Sequence, residues 1–202
     1  FCLSRGLGDV YKRQASDKRL RVLVVGGSQG ARILADVVPV AIGRLGTDLR
    51  MRLSLVQQAR EEDLERVRNA YASLSVTAEV APFFSDLPAR MAASHLVVSR
   101  SGASTVAELA AIGRPAILIP LPHALDQDQL ANAGVLEVAG GAIRVVQKDF
   151  TPRRLAADIA ALAESGPRLA AMAAAARSLG RLDAANQLAA LVLNVAGIGP
   201  RT

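Results

Sequence analysis

Short apolar runs alternate with helical segments along most of this chain. The apolar runs predict strands at about 21–25, 51–56, 75–80, 95–99, 116–119 and 142–146. Helical spacing between them predicts helices at about 30–45, 61–71, 88–93, 106–112 and 127–138. Strand followed by helix, repeated with short connections, is typical of a parallel sheet covered by helices. We therefore predict an α/β, Rossmann-like fold with a parallel sheet of about six strands and helices on both faces.

The last quarter of the chain lacks strand signals and is rich in alanine and leucine. Thr151 followed by Pro152 suits the cap and the first position of a helix. The helical pattern continues to about residue 195, and Gly166 and Gly180 mark the expected breaks. The sequence thus predicts a C-terminal helical tail.

Composition narrows the classes of function. A chain of 202 residues with 51% hydrophobic content can bury the core of one domain. Aromatic residues make up only 3%, which argues against stacking platforms for nucleic acid. The formal net charge of +6 favours an anionic ligand or surface, although no dense basic run occurs.

Two further structural features are not expected from the sequence. No apolar run reaches the ~18 residues of a membrane-spanning helix. Cys2 is the single cysteine, so a disulfide is not expected within the chain.

Residues 1–14 differ in character from the rest of the chain. They have no initiator Met, no apolar signal core and no match to the pattern that follows. We interpret them as a non-native leader and residues 15–202 as the folded domain.

A glycine-rich turn, Gly26-Gly-Ser-Gln-Gly-Ala31, follows the first predicted strand. Its glycines allow a tight turn, and backbone N–H groups at the start of the next helix can face a phosphate. Ser28 adds a hydroxyl donor. The spacing of a dinucleotide fingerprint or of a P-loop is absent. The turn is therefore either a phosphate-binding turn or a plain connection.

Residues 100–108, Arg-Ser-Gly-Ala-Ser-Thr-Val-Ala-Glu, join the fourth predicted strand to a helix. Ser104 and Thr105 offer hydroxyls beside the positive end of that helix, and Glu108 can accept hydrogen bonds from two ribose hydroxyls. Thr105 and Glu108 also have the spacing of a capping box, in which Glu108 would only satisfy backbone donors. Arg100 is either a phosphate partner or a solvated charge.

Two further segments belong to the same predicted sheet edge. Phe83-Phe84 follows the third strand, so one ring either covers a base or packs in the core. Residues 120–132 follow the fifth strand and carry His123 and several amides and carboxylates that suit sugar hydroxyls. Asp126 and Asp128 have the Asp-x-Asp form of some metal-dependent transferases, but no further ligands are evident, and we expect no metal.

Taken together, three motifs closely resemble the MurG family in their order and spacing. They are Gly26-Gly-Ser-Gln-Gly-Ala-Arg-Ile-Leu34, Arg100-Ser-Gly-Ala-Ser-Thr-Val-Ala-Glu-Leu-Ala110 and Pro120-Leu-Pro-His-Ala with Gln129-Leu-Ala-Asn132-Ala. That family transfers N-acetylglucosamine (GlcNAc) from UDP-GlcNAc to lipid I, forming lipid II in peptidoglycan synthesis. The resemblance covers about residues 21–195 and implies the C-terminal, donor-binding half of a GT-B glycosyltransferase.

The resemblance also implies roles for individual residues. Phe84 lies near uracil, Glu108 holds the ribose, and Ser104 and Thr105 line the diphosphate region. Asp128 departs from the Gln or His expected there. The full set implied to bind UDP-GlcNAc is Ser28, Gln29, Gly30, Phe84, Arg100, Ser104, Thr105, Glu108, His123, Gln129 and Asn132.

Partners, cofactors and location follow from the same resemblance. It implies UDP-GlcNAc as donor, a lipid-linked acceptor bound through an N-terminal domain, no cofactor, no metal and no nucleic acid. The full-length enzyme would be peripheral on the cytoplasmic face of the bacterial inner membrane. We expect no catalytic residue and no efficient transfer in this chain alone. The alternatives are a donor-binding subunit of a split UDP-GlcNAc transferase and a non-catalytic nucleotide-binding domain.

Overall fold

A parallel β-sheet forms the centre of the protein. The computed structural model describes residues 19–27, 30–122 and 127–196. Within them the strands are β1 (Leu20–Val25), β2 (Leu53–Gln58), β3 (Thr77–Ala81), β4 (Leu96–Ser99), β5 (Ala116–Leu118) and β6 (Ala142–Arg144). Their order is β3-β2-β1-β4-β5-β6, and every neighbouring pair is parallel. The predicted six-stranded parallel sheet is confirmed.

Helices connect the strands and continue after the last one. Over the same described ranges they are α1 (Arg32–Gly43), α2 (Thr47–Arg52), α3 (Leu64–Ser73), α4 (Leu87–Ala93), α5 (Ala103–Ile112), α6 (Asp128–Val138), α7 (Pro152–Ala163), α8 (Gly166–Ser178) and α9 (Ala184–Val195). Short 3-10 turns lie at Glu61–Asp63 and Gln147–Asp149.

The sheet separates two hydrophobic cores. Alternate residues of β1 point to opposite faces, so Val22 and Val24 belong to one core and Leu23 and Val25 to the other. Helices α1, α3 and α7 cover the first core, and α4, α5, α6 and α8 contribute to the second. The prediction of helices on both faces is confirmed.

The strand order reverses between β1 and β4. From β1 the chain proceeds outward through β2 to β3, and it then returns to place β4 on the other side of β1. Val25 pairs with Ser99 at the carboxyl ends of these two strands. In open α/β sheets such a switch point leaves a crevice in which ligands bind. The glycine-rich turn after β1 and the segment after β4 therefore lie side by side.

The predicted second strand is displaced along the sequence. We predicted it at 51–56, but α2 takes in residues up to Arg52, and β2 extends to Gln58. Asp48 in the first turn of α2 and Arg50 and Arg52 in its last turn complement the helix dipole, which favours the short helix. The apolar signal thus misplaced the strand, because its carboxyl end consists of two buried glutamines.

The helical tail has the predicted breaks. Thr151 caps α7 by accepting a hydrogen bond from the Arg154 backbone N–H at 3.2 Å, and Ser165 caps α8 in the same way. No residue of α9 is buried within the part of the chain that the structure describes.

Candidate functional site

A cleft of about 770 Å³ opens at the carboxyl edge of the sheet, where β1 and β4 end. The glycine turn forms one wall with Gly26, Gly27 and Gly30. Gly27 and Gly30 have φ angles of +87° and +68°, a backbone conformation that residues other than glycine rarely adopt. The start of α5 and the loop after β5 form the other walls. Ser28, Gln29 and His123, three of the predicted binding residues, lie outside the described residues.

The first turn of α5 faces this cleft. Ala103, Ser104 and Thr105 line it, and Gly102 is the N-cap residue, with no side chain bonded to the helix end. The first backbone N–H groups of α5 have no partner within the helix, and they carry the positive end of its dipole. This wall is therefore suited to an anionic group.

A second cavity of about 170 Å³ adjoins the cleft and shares Gly27, Ser104 and Thr105 with it. Phe84 lines it from the segment after β3, and Glu108 lines it from the second turn of α5. The cavity thus offers an aromatic ring and a carboxylate directly beside the hydroxyls of Ser104 and Thr105.

Glu108 does not take part in a capping box. The helix begins at Ala103, so Thr105 is the third helical residue rather than the N-cap, and Glu108 is the sixth. A capping box needs its Ser or Thr at the N-cap. The capping alternative is wrong, and the carboxylate of Glu108 lines the small cavity instead.

The two phenylalanines differ in environment. Phe84 is buried, with 8% of its surface exposed, whereas Phe83 is 69% exposed. The Arg90 guanidinium carbon lies 4.4 Å from the centroid of the Phe84 ring, a cation–π contact. Asp86 and Glu79 hold Arg90 by ion pairs of 2.6 and 2.7 Å. Arg90, held by two carboxylates, thus packs against the ring of Phe84, which lines the cavity.

Arg100 is half-buried and bonded to the protein. Its Nη1 donates to the carbonyl oxygens of Ile119 and Pro120 at 3.1 and 3.2 Å, and its Nη2 donates to Gln147 Oε1 at 2.6 Å. Burial lowers the pKa of its guanidinium. Arg100 lines the cleft, but these contacts tie the end of β5 to the segment after β6. The picture of a freely solvated charge is wrong.

Gln129 and Asn132 occupy different positions. Gln129 lines the cleft, and its Oε1 accepts a hydrogen bond from the Leu121 backbone N–H at 3.0 Å. Asn132 lines neither of the two cavities, and its Nδ2 donates to the carbonyl of the buried Ser101 at 3.3 Å. Gln129 therefore borders the cleft, while Asn132 supports the start of α5.

The cleft is cationic over its described lining. Three arginines line it, Arg32, Arg60 and Arg100, and no Asp or Glu of the described residues does. Together with the positive end of α5, this charge favours an anionic ligand.

The comparison with protein families agrees with this geometry. The model of the glycosyltransferase family 28 C-terminal domain matches residues 21–188. The chain belongs to this family. Its described fold, a six-stranded parallel sheet with a helical tail, is one half of a GT-B enzyme.

Similar proteins make the family 28 assignment more specific. The UDP-N-acetylglucosamine--N-acetylmuramyl-(pentapeptide) pyrophosphoryl-undecaprenol N-acetylglucosamine transferase of Nitrobacter hamburgensis is 67% identical over 186 residues, which are 92% of this chain and 50% of that enzyme. The enzyme of the same name from Rhodopseudomonas palustris is 68% identical over 183 residues, 91% of this chain and 49% of that enzyme. The chain spans about half the length of these relatives.

A solved structure supports the same relationship. The crystal structure of Acinetobacter baumannii MurG superimposes with a TM-score of 0.81 at 32% sequence identity. The match covers 89% of this chain and 53% of that one. The resemblance to the MurG family that the three motifs indicated is confirmed.

The structure adds a residue to this family 28 site that the sequence motifs did not indicate. Gln58, at the end of β2, is buried and lines the small cavity. Its Oε1 accepts from the Gly26 backbone N–H at 3.0 Å, and its Nε2 donates to the carbonyls of Gly27 and Pro82 at 3.0 and 3.1 Å. No pattern in the sequence indicated Gln58, because its contacts depend on β2 lying beside β1.

Neither a metal site nor a membrane-spanning helix is present in the part of this family 28 domain that the structure describes. Over the described residues, no group of three or more His, Cys, Asp or Glu side chains is placed to hold a metal ion. In the same part of the chain, no helix combines the length and the apolar character that crossing a membrane requires.

Proposed function

We propose that residues 15–202 form the donor-binding domain of an N-acetylglucosaminyltransferase that uses UDP-GlcNAc. One observation carries this proposal: a small cavity with an aromatic ring and a carboxylate adjoins a larger cationic cleft, and the start of α5 borders both. A nucleotide sugar has the same order of parts, a nucleoside, then a diphosphate, then a sugar. The names of the relatives, which are N-acetylglucosamine transferases, support the choice of donor.

The proposed binding mode assigns each part of the donor to residues of the site. Uracil lies beside Phe84, and the ribose hydroxyls donate to Glu108. The diphosphate accepts hydrogen bonds from the start of α5, including Ser104 and Thr105, and from the glycine turn at Ser28, Gln29 and Gly30. His123 and Gln129 contact the GlcNAc, and Asn132 acts indirectly by holding the start of α5. Arg100 holds the loop after β5.

The proposed reaction inverts the anomeric centre. A hydroxyl of the lipid-linked acceptor attacks the anomeric carbon of UDP-GlcNAc, the bond from that carbon to the diphosphate oxygen breaks, and UDP leaves. Negative charge develops on the departing diphosphate. The positive end of α5 and the arginine side chains of the cleft would stabilise this charge in the transition state.

The acceptor and the location belong to the whole protein. The relatives' names describe an N-acetylmuramyl-(pentapeptide) pyrophosphoryl-undecaprenol acceptor, a lipid. We propose the same acceptor, lipid I, with lipid II as product. An enzyme with this acceptor would work at the cytoplasmic face of the bacterial inner membrane, attached peripherally.

Calorimetry tests the donor assignment directly. The purified chain is titrated with UDP-GlcNAc, with UDP and with ADP as an unrelated nucleotide. We expect both uridine nucleotides to bind and ADP to bind at least about tenfold more weakly, since the small cavity discriminates by shape and hydrogen bonding. Equal affinity for UDP and ADP would overturn the proposal of a UDP-sugar site.

A further inference from the structure

Among the described residues three arginines line the cleft: Arg100 is held by hydrogen bonds, and Arg32 lies largely in solvent. The Arg100 guanidinium is bonded to backbone carbonyls and to Gln147. Arg32 lies 3.8 Å from the Asp36 carboxylate, and its side chain is 74% exposed. The third, Arg60, is therefore the one to consider for a ligand.

Arg60 lies against the glycine turn. It follows β2 by two residues and precedes the 3-10 turn Glu61–Asp63. A Cβ placed on Gly30 would lie only 3.1 Å from Arg60 Cγ, so the aliphatic stem of the arginine packs on the turn. This packing places the Nε end of the guanidinium beside the glycine wall of the cleft.

The Arg60 guanidinium is poorly satisfied within the protein. Its Nε is buried and has no hydrogen-bond partner. Its ion pair to Glu62 is long, with Nη1 and Oε1 3.7 Å apart, and Glu62 is 69% exposed. A buried donor without a partner is unusual in native structures, and one beside a cleft indicates a ligand that supplies the acceptor. A guanidinium prefers a carboxylate or a phosphate there.

We infer that Arg60 binds the donor diphosphate against the glycine turn and so makes the site selective for phosphorylated uridine. The inference rests on the proposed UDP-GlcNAc donor. The guanidinium donates to a non-bridging phosphate oxygen from the side opposite the start of α5. The diphosphate is then held between two positive groups, the Arg60 guanidinium after β2 and the start of α5.

The test compares Arg60→Ala and Arg60→Lys with Arg44→Ala. Arg44 is an exposed arginine at the far end of α1 and does not line the cleft, so its removal changes the net charge equally. Affinity for UDP is measured by calorimetry, and affinity for uridine by NMR titration. We expect Arg60→Ala to weaken UDP binding by about 5- to 50-fold, with uridine binding unchanged.

The controls separate this role from others. Arg60→Lys retains the charge and should recover part of the UDP affinity, and Arg44→Ala should leave it within about twofold. Unchanged UDP affinity in Arg60→Ala, or equal losses for UDP and uridine, would overturn the inference. If the wild-type chain itself showed no preference for UDP, the proposed function would fail first. Thermal unfolding of each variant verifies that it is folded, and Arg60→Met replaces Arg60→Ala if that variant is not.

Discussion

Gln58 donates a hydrogen bond from its Nε2 to the carbonyl oxygen of Gly27 at 3.0 Å. The same amide donates to the Pro82 carbonyl, and its Oε1 accepts from Gly26. One buried side chain therefore ties the glycine turn after β1 to the segment that carries Phe84. Both of these belong to the proposed donor site, the first to its diphosphate part and the second to its base part.

Replacing Gln58 with Met should weaken both the fold and donor binding. Three backbone groups lose their partner, so we expect the free energy of unfolding to fall by about 1–3 kcal/mol. UDP affinity should fall by about tenfold, because the glycine turn and the Phe84 segment are no longer held at fixed positions relative to each other. Urea unfolding and calorimetry measure the two effects.

Gln57→Met is the matched control for Gln58→Met. Gln57 is the preceding buried residue of β2, points to the opposite face and bonds with the Tyr71 hydroxyl. Its loss should change stability but leave UDP affinity within about twofold. If both variants lost UDP affinity equally, the effect would come from general destabilisation and not from the position of Gln58.

The fold was predictable from the sequence where strands are apolar. Leu96–Ser99 and Ala116–Leu118 are buried along their whole length. Such continuous, mostly apolar runs are typical of strands in a parallel sheet that is covered on both faces. The second strand was misplaced because Gln57 and Gln58 are buried through hydrogen bonds, which apolar patterning does not detect. Buried polar side chains in a sheet can be recognised only once their hydrogen-bond partners are known.

The site was predictable only in part for a related reason. Ser104 and Glu108 lie four residues apart in one sequence segment, at a helix start that small residues mark. Gln58 ends β2 and Arg60 follows it by two residues, and both reach the glycine turn because β2 lies beside β1. Their contribution depends on strand order, and single-sequence patterns do not contain it.

Gly180 packs closely against α5, the helix whose first turn borders both cavities, and this packing can be tested. A Cβ there would lie 2.7 Å from the Ala110 carbonyl oxygen in α5 and 3.0 Å from Ala111 Cα. Gly180→Ala must therefore push the end of α8 away from α5, and we expect a loss of about 1–3 kcal/mol in the free energy of unfolding. Chemical denaturation measures it.

Gly166→Ala is the control for that substitution. A Cβ at Gly166, the first residue of α8, meets nothing within 4 Å. Alanine there should be neutral or stabilise by up to about 1 kcal/mol, because it restricts the unfolded chain. Equal destabilisation by both alanines would contradict the steric explanation.

The buried Tyr71 phenol should make the free energy of unfolding depend on pH in the alkaline range. Its side chain is buried, its hydroxyl donates to Gln57 Oε1, and burial raises the pKa of the phenol. An unfolded tyrosine ionises near pH 10. Below that pH both states keep the proton and stability is intact. Above it only the unfolded state releases the proton, so the free energy of unfolding falls as the pH rises.

Tyr71→Phe should remove this dependence. At pH 8 the variant should be less stable by about 1–2 kcal/mol, because it lacks the hydrogen bond to Gln57. At pH 11 the difference should shrink by about 1.4 kcal/mol, since only the wild type loses stability through this group. Urea unfolding at the two pH values measures it. Tyr11, the other tyrosine, is present in both proteins and cancels, so an unchanged difference would contradict the raised pKa.

Glu108→Ala tests the ribose contact most directly. Because α5 begins at Ala103 without help from Glu108, the variant should keep its stability within about 0.5 kcal/mol. UDP binding should weaken by about 1–3 kcal/mol, the cost of leaving the ribose hydroxyls without their acceptor. The wild type should also prefer UDP to 2′-deoxy-UDP, and the variant should bind the two alike. Glu65→Ala, an exposed carboxylate on α3, is the charge-matched control and should retain the preference. A Glu108→Ala protein that still discriminated the 2′-hydroxyl would assign the ribose contact to another residue.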